Sequence, residues 1–331
     1  LGNDNAKTES ELGTELKVDT EKSLLENSYP LSLVAGRSKR AWELDFLRGL
    51  AIIMVVLDHI AFIFANVFGP VWASYSDSGF LHWLEEVGIY FRNAAWRESV
   101  WLSIIIIFTV VCGISCTFSK SNFKRGIQLF ALSYAVFVVT DMIELFTGMP
   151  LRIVYGILFC LSVSILLFAV LDSGLNKLEK FILSKRGRTK NSSEAETIHN
   201  SEFIIQNLKN GIMAVVGLII IIVGFYYYFN PLEPMHAFGM IVYADGGMAS
   251  ADYFPVLPWA GFVLLGAVLG RYIYKERKSL LLKLDSKSHA PIRFLGRNTI
   301  VVYILHQPII IVLLTILGFF FGFNAISHFT S

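Results

Sequence analysis

Cysteine is nearly absent. The three thiols among 331 residues, Cys112, Cys116 and Cys160, all lie in apolar runs, and an odd count with one i, i+4 pair on a helix gives no disulfide framework. No Cys/His cluster has metal-ligand spacing, no glycine-rich loop matches a dinucleotide or nucleoside triphosphate signature, and no internal repeat stands out. These absences argue against a permanently held cofactor, and the lack of a Gly-x-Ser-x-Gly elbow argues against a serine hydrolase. Charge is scarce too: 16% of residues are charged and 54% hydrophobic, against ~25% and ~45–50% in ordinary soluble domains. The net charge of +2 carries no nucleic-acid signal, because the basic residues are spread over connections where anionic lipid is the natural partner.

What is abundant is long apolar sequence. Runs that cross or nearly cross a bilayer needing ~20 residues occupy Gly49 to Phe68, Val100 to Phe118, Gly126 to Phe146, Ile153 to Leu171, Gly211 to Phe229, Val256 to Ile273 and Thr299 to Phe323. The pattern predicts an all-α, polytopic transmembrane bundle of about seven spans. Only Thr147 to Arg152, with Pro150 as breaker, separates the third and fourth, which predicts a helical hairpin. An eighth, partial element at His236 to Tyr243 is too short to span and suits a re-entrant or surface segment.

Lysine and arginine set the expected orientation. With the N-terminus inside, inside segments hold 22 of them and outside segments three, Arg92, Arg97 and Arg152. Such a split predicts a cytoplasmic N-terminus and an external C-terminus, in a membrane read as the prokaryotic cytoplasmic one. Residues 1–36 carry seven acids and few aromatics and read as a disordered tail preceding a membrane domain over 37–331. Residues 172–209 read as a polar cytoplasmic connection, mobile around Ser184 to Glu196, and the sequon at Asn191 to Ser193 within it reads as chance.

Within this apolar background a few polar side chains stand at unexpected depth. Arg48 and His59 are eleven positions apart in the first span; at 100° per residue they return to within about 20° of one direction, ~16 Å apart along the axis. One helix face therefore presents a guanidinium and an imidazole, which is costly in hydrocarbon and predicts a polar cavity inside the bundle. Asp58 adds a carboxylate that can support proton acceptance by His59, or bind Arg48 or a residue on another helix. The last span carries Asn298, Tyr303, His306 and Gln307, with Asn298 and His306 about 80° apart on a wheel, so both can border one cavity. Pro308 is expected to bend that helix and free carbonyls. A third, external set comprises Arg97 before the second span and Asp252 and Trp259 before the sixth, with Tyr253 and Phe254. It reads either as an aromatic belt or as a mouth that binds polyhydroxy or amino-sugar substrates.

The blocks RAWELDFLRGLAIIMVVLDH, WRESVWLSIIIIFTVVCGISCTFSKSNFKRGIQLF, SADYFPVLPWAGFVLLGAVLGR and FLGRNTIVVYILHQPI, in this order from about Arg40 to Leu314, resemble the prokaryotic branch of the heparan-alpha-glucosaminide N-acetyltransferase catalytic-domain family. The Arg-then-His arrangement of the first helix is also similar to that of the transmembrane acyltransferase family 3. The resemblance implies an acyltransferase that moves an acetyl or other short acyl group from cytoplasmic acyl-CoA to a sugar or glycan acceptor at the other membrane face. It implies His59 as general base or acyl carrier, with His306 or Asn298 assisting, and Arg48, Lys124, Arg125 and Arg297 as candidates for the CoA phosphates. In the lysosomal branch the position of His59 resembles Asn and the reactive histidine follows the first helix, where His82 is the nearest counterpart. Expected partners are acyl-CoA, the acceptor and membrane lipid, with a homo-oligomer left open. A transporter or proton-coupled carrier using the same polar residues is the alternative reading.

Overall fold

The computed structural model describes residues 41–75, 77–147, 151–187, 195–232, 241–243, 250 and 252–321. The acidic tail, most of the partial element at 236–243 and the sequon lie outside them. Every element among the described residues is helical, and six helices are long and apolar enough to cross a membrane. The chain is therefore a polytopic helical membrane bundle.

The first span is α1, Trp42–Ile63, continued through a π-helical turn over Phe64–Phe68 into α2, Gly69–Tyr75. Pro70 supplies no backbone donor, and the Gly69 amide reaches back to the Phe64 carbonyl in the wider turn. Then follow α3, Gly79–Asn93; α4, Ala95–Cys116; α5, Asn122–Thr147; α6, Ile157–Gly187; α7, Ala195–Phe229; and α8, Trp259–Ile273. A short α9, Ala290–Arg297, leads into the last span α10, Thr299–Phe320, which contains Pro308. The polar stretch 172–209 is for the most part helical, because α6 and α7 run well past their apolar windows.

The shortest apolar helix is the most enclosed. At 15 residues α8 rises about 22 Å, short of the ~30 Å hydrocarbon thickness, yet Ala260, Val263, Leu264 and Ala267 are fully buried. Its glycines allow backbone-to-backbone approach: a Cβ on Gly266 would collide with the Val110 carbonyl of α4, and one on Gly113 of α4 with the Val263 carbonyl of α8. Helices α4 to α8 share one hydrophobic core, while α1, the π turn, α2, α3 and α10 share a second that includes Phe68, Trp72, Leu81 and Ile310.

Both α6 and α8 are entered by non-helical chain, 151–156 and 252–258. Apolar surroundings require such backbone to be satisfied internally, and the two segments do this for each other. The Phe254 amide donates to the Tyr155 carbonyl at 2.7 Å and the Val154 amide to Ser250 Oγ at 3.0 Å. The hairpin expected between the third and fourth spans is present as α5 and α6, with α6 starting at Ile157 rather than Ile153.

Candidate functional site

His59 of α1 and His306 of α10 meet, His59 Nδ1 lying 2.7 Å from His306 Nε2. Their rings stack with centroids 4.8 Å apart, and His306 is 7% exposed. The other nitrogen of His306, Nδ1, lies 2.6 Å from the Tyr303 carbonyl. A carbonyl only accepts, so Nδ1 carries the hydrogen, and in a neutral His306 Nε2 is then an acceptor. His59 Nδ1 must donate to it, which leaves the lone pair of a neutral His59 on Nε2. One backbone carbonyl thus fixes the tautomers of both rings and leaves the lone pair of His59 on Nε2.

Asp58 does not bond to His59. Its two oxygens accept from Arg97 of α4, Oδ1 from Nε at 2.7 Å and Oδ2 from Nη2 at 3.0 Å, and Arg92 of α3 stands 3.9 Å away. Of the partners the sequence left open, it takes one on another helix, and His306 does the orienting of His59. Just beyond the histidines is a mostly apolar cavity lined by Phe62, Ile63, Val67, Phe68, Leu151, Gln307 and Ile311.

Toward the N-terminal end of α1 the predicted cations converge on Asp45, which is 1% exposed. Arg48 donates to Asp45 Oδ1 at 2.6 Å and to Ser115 Oγ at 2.5 Å, while Arg297 Nε donates to Asp45 Oδ2 at 3.3 Å. Glu43 holds the adjoining loop, accepting from Tyr274, Ser279 and the Leu280 amide. Burial, and next the Glu43 carboxylate, push the Tyr274 phenol above its ordinary value. Lys124 and Arg125 begin α5, one exposed and one half-buried, and their side chains pair with no carboxylate among the described residues.

The external set is rearranged. Phe254 and Trp259 are buried in the first core rather than placed in a belt or at a mouth, because the chain before α8 folds inward. Asp252, 8% exposed, accepts from the Tyr303 hydroxyl at 2.5 Å and from the Ile157 amide at 3.4 Å, so it caps the start of α6. Asn298 joins α9 to α10 and donates to the Phe294 carbonyl at 2.9 Å, closing the end of α9; Gln307 lines the cavity. His82 lies on α3, 4.0 Å from Glu85, half in solvent. Sequence reasoning missed Ser115, Arg92 and the role of the Tyr303 carbonyl; only the three-residue spacing of Tyr303 and His306 hinted at the last. Among the described residues no three His, Cys, Asp or Glu side chains converge to hold a metal.

The model of the family described as "Heparan-alpha-glucosaminide N-acetyltransferase, catalytic" matches residues 40–184 and 202–308, a range that includes His59, Asp45, Asp252 and His306. No curated protein and no solved structure matches the chain.

Proposed function

Because the chain belongs to the heparan-alpha-glucosaminide N-acetyltransferase catalytic-domain family, we propose that it is an integral membrane acetyltransferase carrying an acetyl group from acetyl-CoA, on the side of the α1 N-terminus, to a sugar or glycan acceptor on the other side. The single observation behind this reading is the 2.7 Å contact between His59 and His306, which with the Tyr303 carbonyl leaves the His59 lone pair on Nε2.

His59 Nε2 takes the proton of the acceptor hydroxyl or amine as that group attacks the thioester carbonyl. The C–S bond then breaks, and the departing sulfur recovers the proton from His59. During the step His59 Nδ1–H keeps its bond to His306 Nε2, so the imidazolium charge faces a fixed acceptor rather than hydrocarbon. Asp45 holds Arg48 and Arg297 in place, and with Lys124 and Arg125 they offer guanidinium and ammonium groups to CoA phosphates. The cytoplasmic placement of this end follows the basic-residue asymmetry. Asn298 closes the end of α9 through its bond to the Phe294 carbonyl, just before the helix that carries His306.

The test is acetyl transfer by the purified protein with labelled acetyl-CoA. His59→Asn keeps one hydrogen bond but accepts no proton near neutral pH, and should bind acetyl-CoA while losing ~10²-fold or more of turnover. Near-normal turnover in His59→Asn beside an inactive His82→Ala would move the assignment to α3. Flux of a solute without CoA release would favour a carrier.

A further inference from the structure

Asp58 faces two guanidiniums. Arg97 occupies both of its oxygens at 2.7 and 3.0 Å, whereas Arg92 approaches only to 3.9 Å, beyond hydrogen-bond reach. Among the described residues neither arginine has another carboxylate within 4.0 Å. Of the other acids on α3 and at the start of α4, Glu85 lies 4.0 Å from His82 and Glu98 accepts from Tyr228, and Glu86 does not come within 4.0 Å of either arginine. The cluster therefore holds one positive charge in excess. Burial, and then the Arg97 guanidinium, draw Arg92 below the ordinary arginine value, with Asp58 opposing them.

The excess cation borders the candidate site. Arg92 stacks over Phe62 with its guanidinium carbon 5.2 Å from the ring centroid. Phe62 lies three residues, about one turn, beyond His59 on α1, and it lines the cavity together with Gln307, the residue after His306. Arg92 is 31% exposed, so part of its fork is open to a ligand.

We propose that Arg92 recognises an oxyanion on the acceptor, a carboxylate or phosphate carried by the sugar whose hydroxyl or amine faces His59. This rests on the acetyltransferase reading. A planar guanidinium pairs bidentately with such groups, and the bound anion would neutralise the charge that Asp58 leaves over. A neutral sugar would leave the cluster charged in a partly desolvated place.

The experiment uses the whole protein in phosphatidylcholine nanodiscs. Equilibrium binding is measured for glucosamine 6-phosphate, glucose 6-phosphate and glucuronate against glucosamine and glucose, and acetyl transfer is followed in parallel. The wild type should bind at least one charged sugar about 10-fold or more tighter than its uncharged counterpart, the scale of one charge-assisted pair. Arg92→Gln should lose that preference with acetyl-CoA affinity retained, and Arg92→Lys should recover part of it. No preference in the wild type, or a preference that survives in Arg92→Gln, overturns the inference. So does a preference abolished by adding phosphatidylglycerol, because the anion would then be a lipid headgroup. Binding is read without turnover: Arg92-dependent binding with no acetyl transfer keeps the oxyanion site at Arg92 but overturns its role toward an acceptor together with the acetyltransferase reading, and transfer without discrimination overturns the inference alone.

Discussion

Arg48 shows how much a single residue is asked to do. Its guanidinium links Asp45 on its own helix to Ser115 on α4, two bonds made from the two ends of one planar fork. Arg48→Lys keeps the charge; Arg48→Ala removes both the charge and the bonds to Asp45 and Ser115. Acetyl-CoA affinity, measured by titration on folded protein, should fall in Arg48→Ala and recover only in part in Arg48→Lys. Unchanged affinity in Arg48→Ala would remove Arg48 from the donor site. The shared face of Arg48 and His59 was legible from their eleven-residue spacing, since helical periodicity needs no tertiary information. The joining of His59 to His306 across 247 positions was not, because a pattern marks two polar faces without saying that they face each other. Asp252 was misplaced for the same reason: its sequence neighbours look interfacial, and only the return of the chain beneath α6 makes it a cap.

At the level of helices, the spans were readable from hydropathy, but their ends were not. Apolar runs mark where surroundings exclude water, whereas a helix continues as long as its backbone bonds persist, so α6 and α7 extend into sequence that looks like a connection. Helices α3 and α9 went unforeseen, being too short and too polar to register as spans. The close crossing of α4 and α8 is an element-scale commitment with a measurable cost. Gly266→Val would push a side chain into the Val110 carbonyl and should destabilise by about 1–3 kcal/mol or more, lowering the thermal midpoint in detergent. Gly174 of α6 has nothing within 4 Å of an added Cβ, so Gly174→Ala should leave the midpoint unchanged or raise it, by roughly 0.5–1 kcal/mol of helix propensity. Equal responses from the two variants would contradict the packing described for α8.

Across the molecule there are two hydrophobic cores, one built by α4 to α8 and one by α1, α2, α3 and α10, and His59 and His306 pair on the helices of the second. The same economy governs the chain before α6 and α8. Uncoiled segments in most proteins surrender their amide hydrogens to solvent within seconds, whereas here the Phe254 and Leu257 amides donate at 2.7 Å to the carbonyls of Tyr155 and Ile241, and Phe254 and Val256 are buried. Deuterium uptake should therefore invert the usual ranking. Peptides spanning 253–257 should stay protonated on the timescale of α8, while the exposed stretch 282–288 labels early. Rapid labelling of 253–257 would show that these amides are open to water. Slow labelling would mean that this connection melts only when the helices around it do, so that a segment without regular structure belongs to the last part of the protein to come apart.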